Sequence, residues 1–136
     1  MNNPIARVLS IEDHDIVARL IRCVLASAEI ETTIANSGGH GLAAARGSKF
    51  DLILLDVDLP DMSGFEVCRR LKQEDALKHI PVVFVSGQQD PEYSQEASRL
   101  GAVDYIVKPF DATEFPRRIL EHIQRSRSGG EPPAAT

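Results

Sequence analysis

The sequence predicts an α/β fold, with five parallel strands in one sheet and helices on both faces. Three observations carry that expectation. Short apolar runs rich in Val and Ile alternate with longer amphipathic stretches from end to end. Most of those runs are bounded by polar, Gly or Pro residues, as strands buried on both faces are. Five such runs separated by helical patterns imply parallel pairing, because each crossover must carry the chain back to the start of the next strand.

The strands are expected at residues 5–11, 32–35, 52–55, 82–85 and 103–107. Ile16, Val17, Leu20, Ile21, Val24 and Leu25 recur at helical spacing and are expected to line one face of the first helix. Ser63-Gly64-Phe65-Glu66 reads as a capping box, in which Ser63 and Glu66 each satisfy one free backbone donor. Asp90-Pro91-Glu92 supplies an N-cap, a proline at the first helical position and an acid at the positive helix end. Gly101 suits the stop of that helix. Pro116 fits the last helix only if it starts late, with Thr113 as its cap, or if its first turn is distorted. Residues 5–125 are expected to form the domain. Residues 126–136, which include Ser128-Gly129-Gly130-Glu131-Pro132-Pro133, read as a flexible tail or the stump of a linker.

With 136 residues the chain has enough length for a single sizeable core. Its net charge of -5 argues against nucleic acid as a direct partner, since phosphate backbones select basic surfaces. Cys23 and Cys68 fall in helical stretches without metal-ligand spacing, as thiols of a reducing compartment would. No apolar run approaches the roughly 20 residues that a membrane span needs, and the start lacks a signal-peptide pattern. A cytoplasmic address follows by default.

In open parallel sheets the functional groups gather where the strands end. The first strand delivers Glu12 and Asp13, the third Asp56, the fourth Ser86 followed by Gly87, and the fifth Lys108 followed by Pro109. Three carboxylates at one rim need a positive counterpart. Two of them about 4 Å apart repel by roughly 4 kcal/mol at an effective dielectric near 20. A hard dication such as magnesium suits oxygen ligands, and with Lys108 it neutralises the three acids. An Asp carboxylate in such a site can attack phosphorus and form an acyl phosphate. The transfer needs mainly positioning and charge neutralisation, which magnesium, Lys108 and the Ser86 hydroxyl would supply to the three phosphoryl oxygens.

Taken singly, each residue has a plainer explanation. Glu12 and Asp13 suit a solvated loop, Ser86 a turn, and Lys108 a surface charge. Asp58 suits a solvent-facing position, and Asp61 the turn opened by Pro60. His14, His40, His79 and His122 are scattered, and no chemistry is assigned to them. The plain readings fail together, because suitable residue types close several strands in succession.

Four motifs carry a family resemblance: Val8-Leu9-Ser10-Ile11-Glu12-Asp13; Asp51 to Gly64, with Asp56, Asp58 and Pro60 inside it; Val82-Val83-Phe84-Val85-Ser86-Gly87; and Asp104-Tyr105-Ile106-Val107-Lys108-Pro109-Phe110. Over about residues 5–125 the chain resembles a response-regulator receiver domain. The resemblance implies a flavodoxin-like (βα)5 doubly wound sandwich with strand order 2-1-3-4-5. It implies that Asp56 accepts a phosphoryl group from a histidine kinase or a histidine phosphotransfer protein. Magnesium, with manganese as a substitute, would be held by Glu12, Asp13, Asp56 and the main-chain carbonyl of Asp58. Ser86 and Tyr105 fall on the switch positions, through which phosphorylation reshapes the face of helix 4, strand 5 and helix 5 to control a protein target. The resemblance also implies a cis peptide at Lys108-Pro109. Such a domain catalyses its own phosphotransfer and dephosphorylation and is not a turnover enzyme.

The departures are small. Glu12 replaces the commoner Asp and keeps its charge, Ser86 lacks the methyl group of the alternative Thr, and Gly87 removes bulk beside the site. A short-lived phosphoform is the expectation. Two other families share features. Asp56-Val57-Asp58 resembles the Asp-x-Asp of haloacid-dehalogenase phosphatases, but here it lies on the third strand and leaves Glu12 and Asp13 without a role. A flavodoxin-like cofactor binder would place a phosphate-cradling loop after the first strand, where this chain has two acids. A degenerate receiver serving only as an interaction surface is opposed by the intact acid, hydroxyl and lysine set. The chain is expected to act as a lone regulator or as a piece of a larger protein. It is expected to be a monomer or a weak dimer through helix 4, strand 5 and helix 5, with Arg99, Asp104 and Arg118 contributing charges.

Overall fold

Strands and helices alternate strictly along the computed structural model, which describes residues 3–129. They are β1 (Ala6–Ile11), α1 (Asp15–Ala26), β2 (Ile30–Ala35), α2 (Gly38–Gly47), β3 (Leu52–Leu55), α3 (Gly64–Gln73), β4 (Val82–Ser86), α4 (Pro91–Arg99), β5 (Asp104–Val107) and α5 (Glu114–Arg127). All five strands pair in parallel in the order β2-β1-β3-β4-β5. This is the expected flavodoxin-like arrangement. Among the described residues no helix is long and apolar enough to cross a membrane.

The central strands are buried on both faces, which is why their sequences show no polar alternation. On β3, Ile53 and Leu55 join the core under α2, α3 and α4, while Leu52 and Leu54 join the core under α1 and α5. Burying one such aliphatic side chain contributes roughly 1.5–3 kcal/mol. The sheet is therefore a rigid platform, and the loops at its carboxyl rim are free to carry chemistry.

Several local expectations are modified. On α1 the sheet covers Ala18, Ile21 and Leu25, and Val17 and Val24 pack at the margin, but Ile16 is 78% exposed and Leu20 49%. At about 3.6 residues per turn the six apolar residues spread over half the helix circumference, a wider arc than the sheet reaches. Ser63 does cap α3, accepting from the Phe65 amide at 3.1 Å. Glu66 does not reach back. Its carboxylate is held by Arg69 and by Arg70, the latter at 2.8 Å, guanidiniums one turn on that compete for it.

The stop at Gly101 is a Schellman motif. Gly101 has φ 96°, its amide donates to Ser98, and the Ala102 amide donates to Ala97. Asp90 caps α4 as expected, with Pro91 in the first turn. Helix α5 starts late, but the Thr113 hydroxyl does not cap it, because Thr113 already has helical backbone angles. The Asp111 carboxylate takes that place, accepting from the Thr113 and Glu114 amides at 2.8 and 2.9 Å. Helix α5 continues through Arg127, and residues 130–136 of the expected tail lie outside the described residues. The Lys108-Pro109 peptide is cis.

Arg99, Asp104 and Arg118 all find partners within the chain. Arg99 pairs with Glu96, and Arg118 grips Asp104 at 2.7 Å. His122 adds a contact of 2.9 Å to the same carboxylate. Burial of Asp104 raises its pKa, but the bonds from His122 and Arg118 outweigh this and bring it down to about 2.

Candidate functional site

The register of the sheet fixes which strand ends meet. Ile11 lies opposite Leu55, so the next residues, Glu12 and Asp56, emerge side by side. Backbone bonds extend the sheet by one step at this rim. The Asp56 amide donates to the Ile11 carbonyl at 3.1 Å, and the Glu12 amide to Ala35 at 2.9 Å. On the other side Ser86 pairs with Val107, and the Lys108 amide donates to the Ser86 carbonyl at 2.8 Å. Residues separated by up to 96 positions thus converge through strand order alone.

At this rim the Lys108 ammonium donates to Glu12 Oε1 at 2.6 Å and to Asp56 Oδ2 at 2.8 Å. Glu12 and Asp56 are nearly buried, at 2% and 7% exposure, whereas Asp13 faces solvent. One carboxylate oxygen from each of Glu12, Asp13 and Asp56 lies within 4.8 Å of the others. The cluster is electrostatically unfinished, since three carboxylates face one ammonium. Glu12 registers this. Burial pushes its pKa up, Lys108 opposes the rise, and the Asp56 charge adds to it. Lys108 shifts the other way from an ordinary buried lysine: burial lowers its pKa, but bonds from Asp56 and Glu12 prevail and raise it.

A second ring surrounds the acids. Ser86 is fully buried, and its hydroxyl accepts from the Gln88 amide at 3.2 Å. Tyr105 donates its hydroxyl to the Gln88 carbonyl at 2.7 Å, and its ring stacks on Phe84. Gln88 Nε2 also donates to Asp58 Oδ2 at 2.9 Å, and the Asp58 amide donates to Asp56 Oδ1 at 3.3 Å. A Cβ added at Gly87 would meet nothing within 4 Å, so this side of the rim is open. Gly64, by contrast, is required. A Cβ there would come within 1.9 Å of the Asp56 carbonyl oxygen.

All the strand-end residues singled out in the sequence therefore meet at one rim. Two residues were not singled out for the roles they take. Gln88 ties Asp58, Ser86 and Tyr105 together, and nothing in its type or spacing signals this. Asp61 does more than serve its turn: its carboxylate accepts from the Gly38 and Gly39 amides of α2, both at 2.8 Å.

The donor set fits a magnesium-sized dication. It offers hard carboxylate oxygens close together, an open side at Asp13, and two negative charges left over after Lys108 is counted. When bound, such an ion would supply charge neutralisation for an incoming phosphoryl group.

The response regulator receiver domain family model matches residues 8–120. Response regulator ArlR of Staphylococcus saprophyticus is 34% identical over 119 residues, which are 88% of this chain and 53% of that protein. A probable cyclic di-GMP phosphodiesterase of Vibrio cholerae is 40% identical over 94 residues, 69% of this chain but only 21% of that protein. The chain thus spans about half or less of the length of these curated relatives. The crystal structure of a CheY-like response regulator receiver domain protein from Methanospirillum hungatei superposes with a TM-score of 0.85 at 27% identity, covering 92% of this chain and 98% of the other. In fold and in sequence, then, the chain belongs to the response regulator receiver domain family and shares its general function of accepting a phosphoryl group in two-component signalling.

Proposed function

We propose that Asp56 is the phosphoacceptor and that a histidine kinase or histidine phosphotransfer protein is the donor. The observation that carries this is the Lys108 ammonium bridging Glu12 and Asp56 at 2.6 and 2.8 Å on the rim where strand ends converge. An Asp56 carboxylate oxygen attacks phosphorus, the O–P bond forms as the N–P bond to the donor imidazole breaks, and the imidazole nitrogen keeps the electron pair. Lys108 holds the carboxylate in place and then neutralises a phosphoryl oxygen, and the Ser86 hydroxyl takes another. Glu12, Asp13, Asp56 and the Asp58 main-chain carbonyl would hold magnesium, with manganese able to substitute.

Ser86 and Tyr105 form the switch. Both lean on Gln88, so a Ser86 hydroxyl drawn toward a phosphoryl group pulls on the loop that also anchors the Tyr105 hydroxyl. The α4–β5–α5 face would change with it and control a downstream protein in the cytoplasm. The domain promotes its own phosphorylation and hydrolysis and turns over no separate substrate. Acetyl phosphate with magnesium should load one phosphoryl group per chain, and Asp56→Asn should load none. Equal loading of both proteins would refute the assignment.

A further inference from the structure

Helix α2 begins with Gly38 and Gly39, and its free amides are satisfied from two sources. Ser37, the local cap, accepts from the His40 amide at 3.1 Å. The first two amides are satisfied from elsewhere, by Asp61 of the loop between β3 and α3, at 2.8 Å each. That loop starts at Asp56 and contains Asp58. Its base is closed by the Asp58–Ser63 bridge and by the Gly64 amide on the Val57 carbonyl at 2.7 Å. The outer part that follows directly on Asp58, residues 59–62, is held from outside by Asp61. Two acceptor oxygens aimed at two adjacent amides at a helix start fix position as well as charge. The neighbouring contact agrees: a Cβ on Gly38 would come within 2.6 Å of Met62 Cγ, so helix and loop meet there without space.

We propose that Asp61 is a positioning residue for the metal site, clamping the β3–α3 loop onto the start of α2 so that the Asp58 carbonyl is held ready for the ion. The inference rests on the magnesium site proposed above. The clamp acts through the loop backbone, since Asp61 touches none of Glu12, Asp13 or Asp56 by hydrogen bond.

The test compares three variants with wild type by magnesium titration, followed through backbone amide NMR shifts of Asp13 and Asp58, with melting temperature measured alongside. Ser37→Ala removes the helix cap without touching the loop. Asp61→Asn removes one acceptor and the charge. Gly38→Ala pushes on Met62 and changes no charge. Ser37→Ala should lower the melting temperature and leave the magnesium Kd within about twofold. Asp61→Asn and Gly38→Ala should each raise the Kd by at least about fivefold, short of the 10–100-fold seen for direct outer-shell partners. The rise should persist at about 1 M salt, where exposed charges act over only about 3 Å. The proposal is overturned if the two loop variants lose thermal stability but keep the wild-type Kd. It is also overturned if the Asp61→Asn defect vanishes at high salt, which would make it a field effect. A wild-type protein that shows no magnesium shift would instead sink the metal site itself, and this inference with it.

Discussion

Replacing Lys108 with Met should destabilise the metal-free protein, and by an amount that depends on pH. Lys108 is 18% exposed in its side chain and pairs with two nearly buried carboxylates. Each contact, at about 4 Å between charge centres and an effective dielectric near 20, is worth roughly 4 kcal/mol before desolvation. Removing the ammonium recovers its own desolvation cost but leaves Glu12 and Asp56 repelling each other. The net loss should be about 3 kcal/mol at pH 7.5, the low end for breaking a buried ion pair. In a domain of this size that is about 12 °C in melting temperature. Glu12 already has a raised pKa, and without Lys108 it rises further, so lowering the pH toward 5.5 moves it toward its protonated form and shrinks the loss. Magnesium should shrink it too. Urea unfolding at both pH values, with and without magnesium, measures this. A loss below about 1 kcal/mol at pH 7.5, or a larger loss at pH 5.5, would refute the electrostatic reasoning.

Three further outcomes follow from the same structure. Because the folded-state pKa of Glu12 is raised, its contribution is intact below the ordinary value of 4.5 and is lost as pH climbs through the shifted one. Stability curves should therefore show wild type falling relative to Glu12→Gln as pH climbs above 4.5. Asp104 behaves oppositely: its pKa is lowered from 3.8 to about 2, so its stabilisation of about 2 kcal/mol holds above pH 4 and disappears as pH falls toward 2. Asp104→Asn should cost that much at pH 7 and almost nothing at pH 2, read by urea midpoints. Gly64→Ala forces the loop off the Asp56 carbonyl and should cost about 2 kcal/mol or more, with disturbed amide shifts at Asp56 to Asp58; an unchanged spectrum would contradict the close approach.

Much of this site could be read in the sequence because a parallel sheet delivers every strand's last residue to one edge. Glu12, Asp13, Asp56, Ser86 and Lys108 needed only the order of apolar runs to be brought together. What escaped depends on loop paths and on competition. Asp61 reaches Gly38 across 23 positions, and Gln88 reaches Asp58 across 30, by turns that no periodicity encodes. Glu66 had two possible partners, its own helix start and the arginines one turn on, and only packing decides between them. On α1, hydrophobicity alone marks Ile16 and Leu20 as core, because it cannot say how wide a stripe the sheet covers. At α5 the residue before the helix is Thr113, but the capping side chain is that of Asp111; both are good caps, and the helical backbone angles of Thr113 choose between them.

The most direct measurement is chemical mapping of the acceptor. The protein should be loaded with acetyl phosphate and magnesium, reduced with borohydride to convert any aspartyl phosphate to homoserine, digested, and sequenced by mass spectrometry. Homoserine should appear at position 56 and nowhere else, and should be lost when magnesium is chelated. Conversion at Asp13 or Asp58, or at position 56 without a divalent ion, would contradict it.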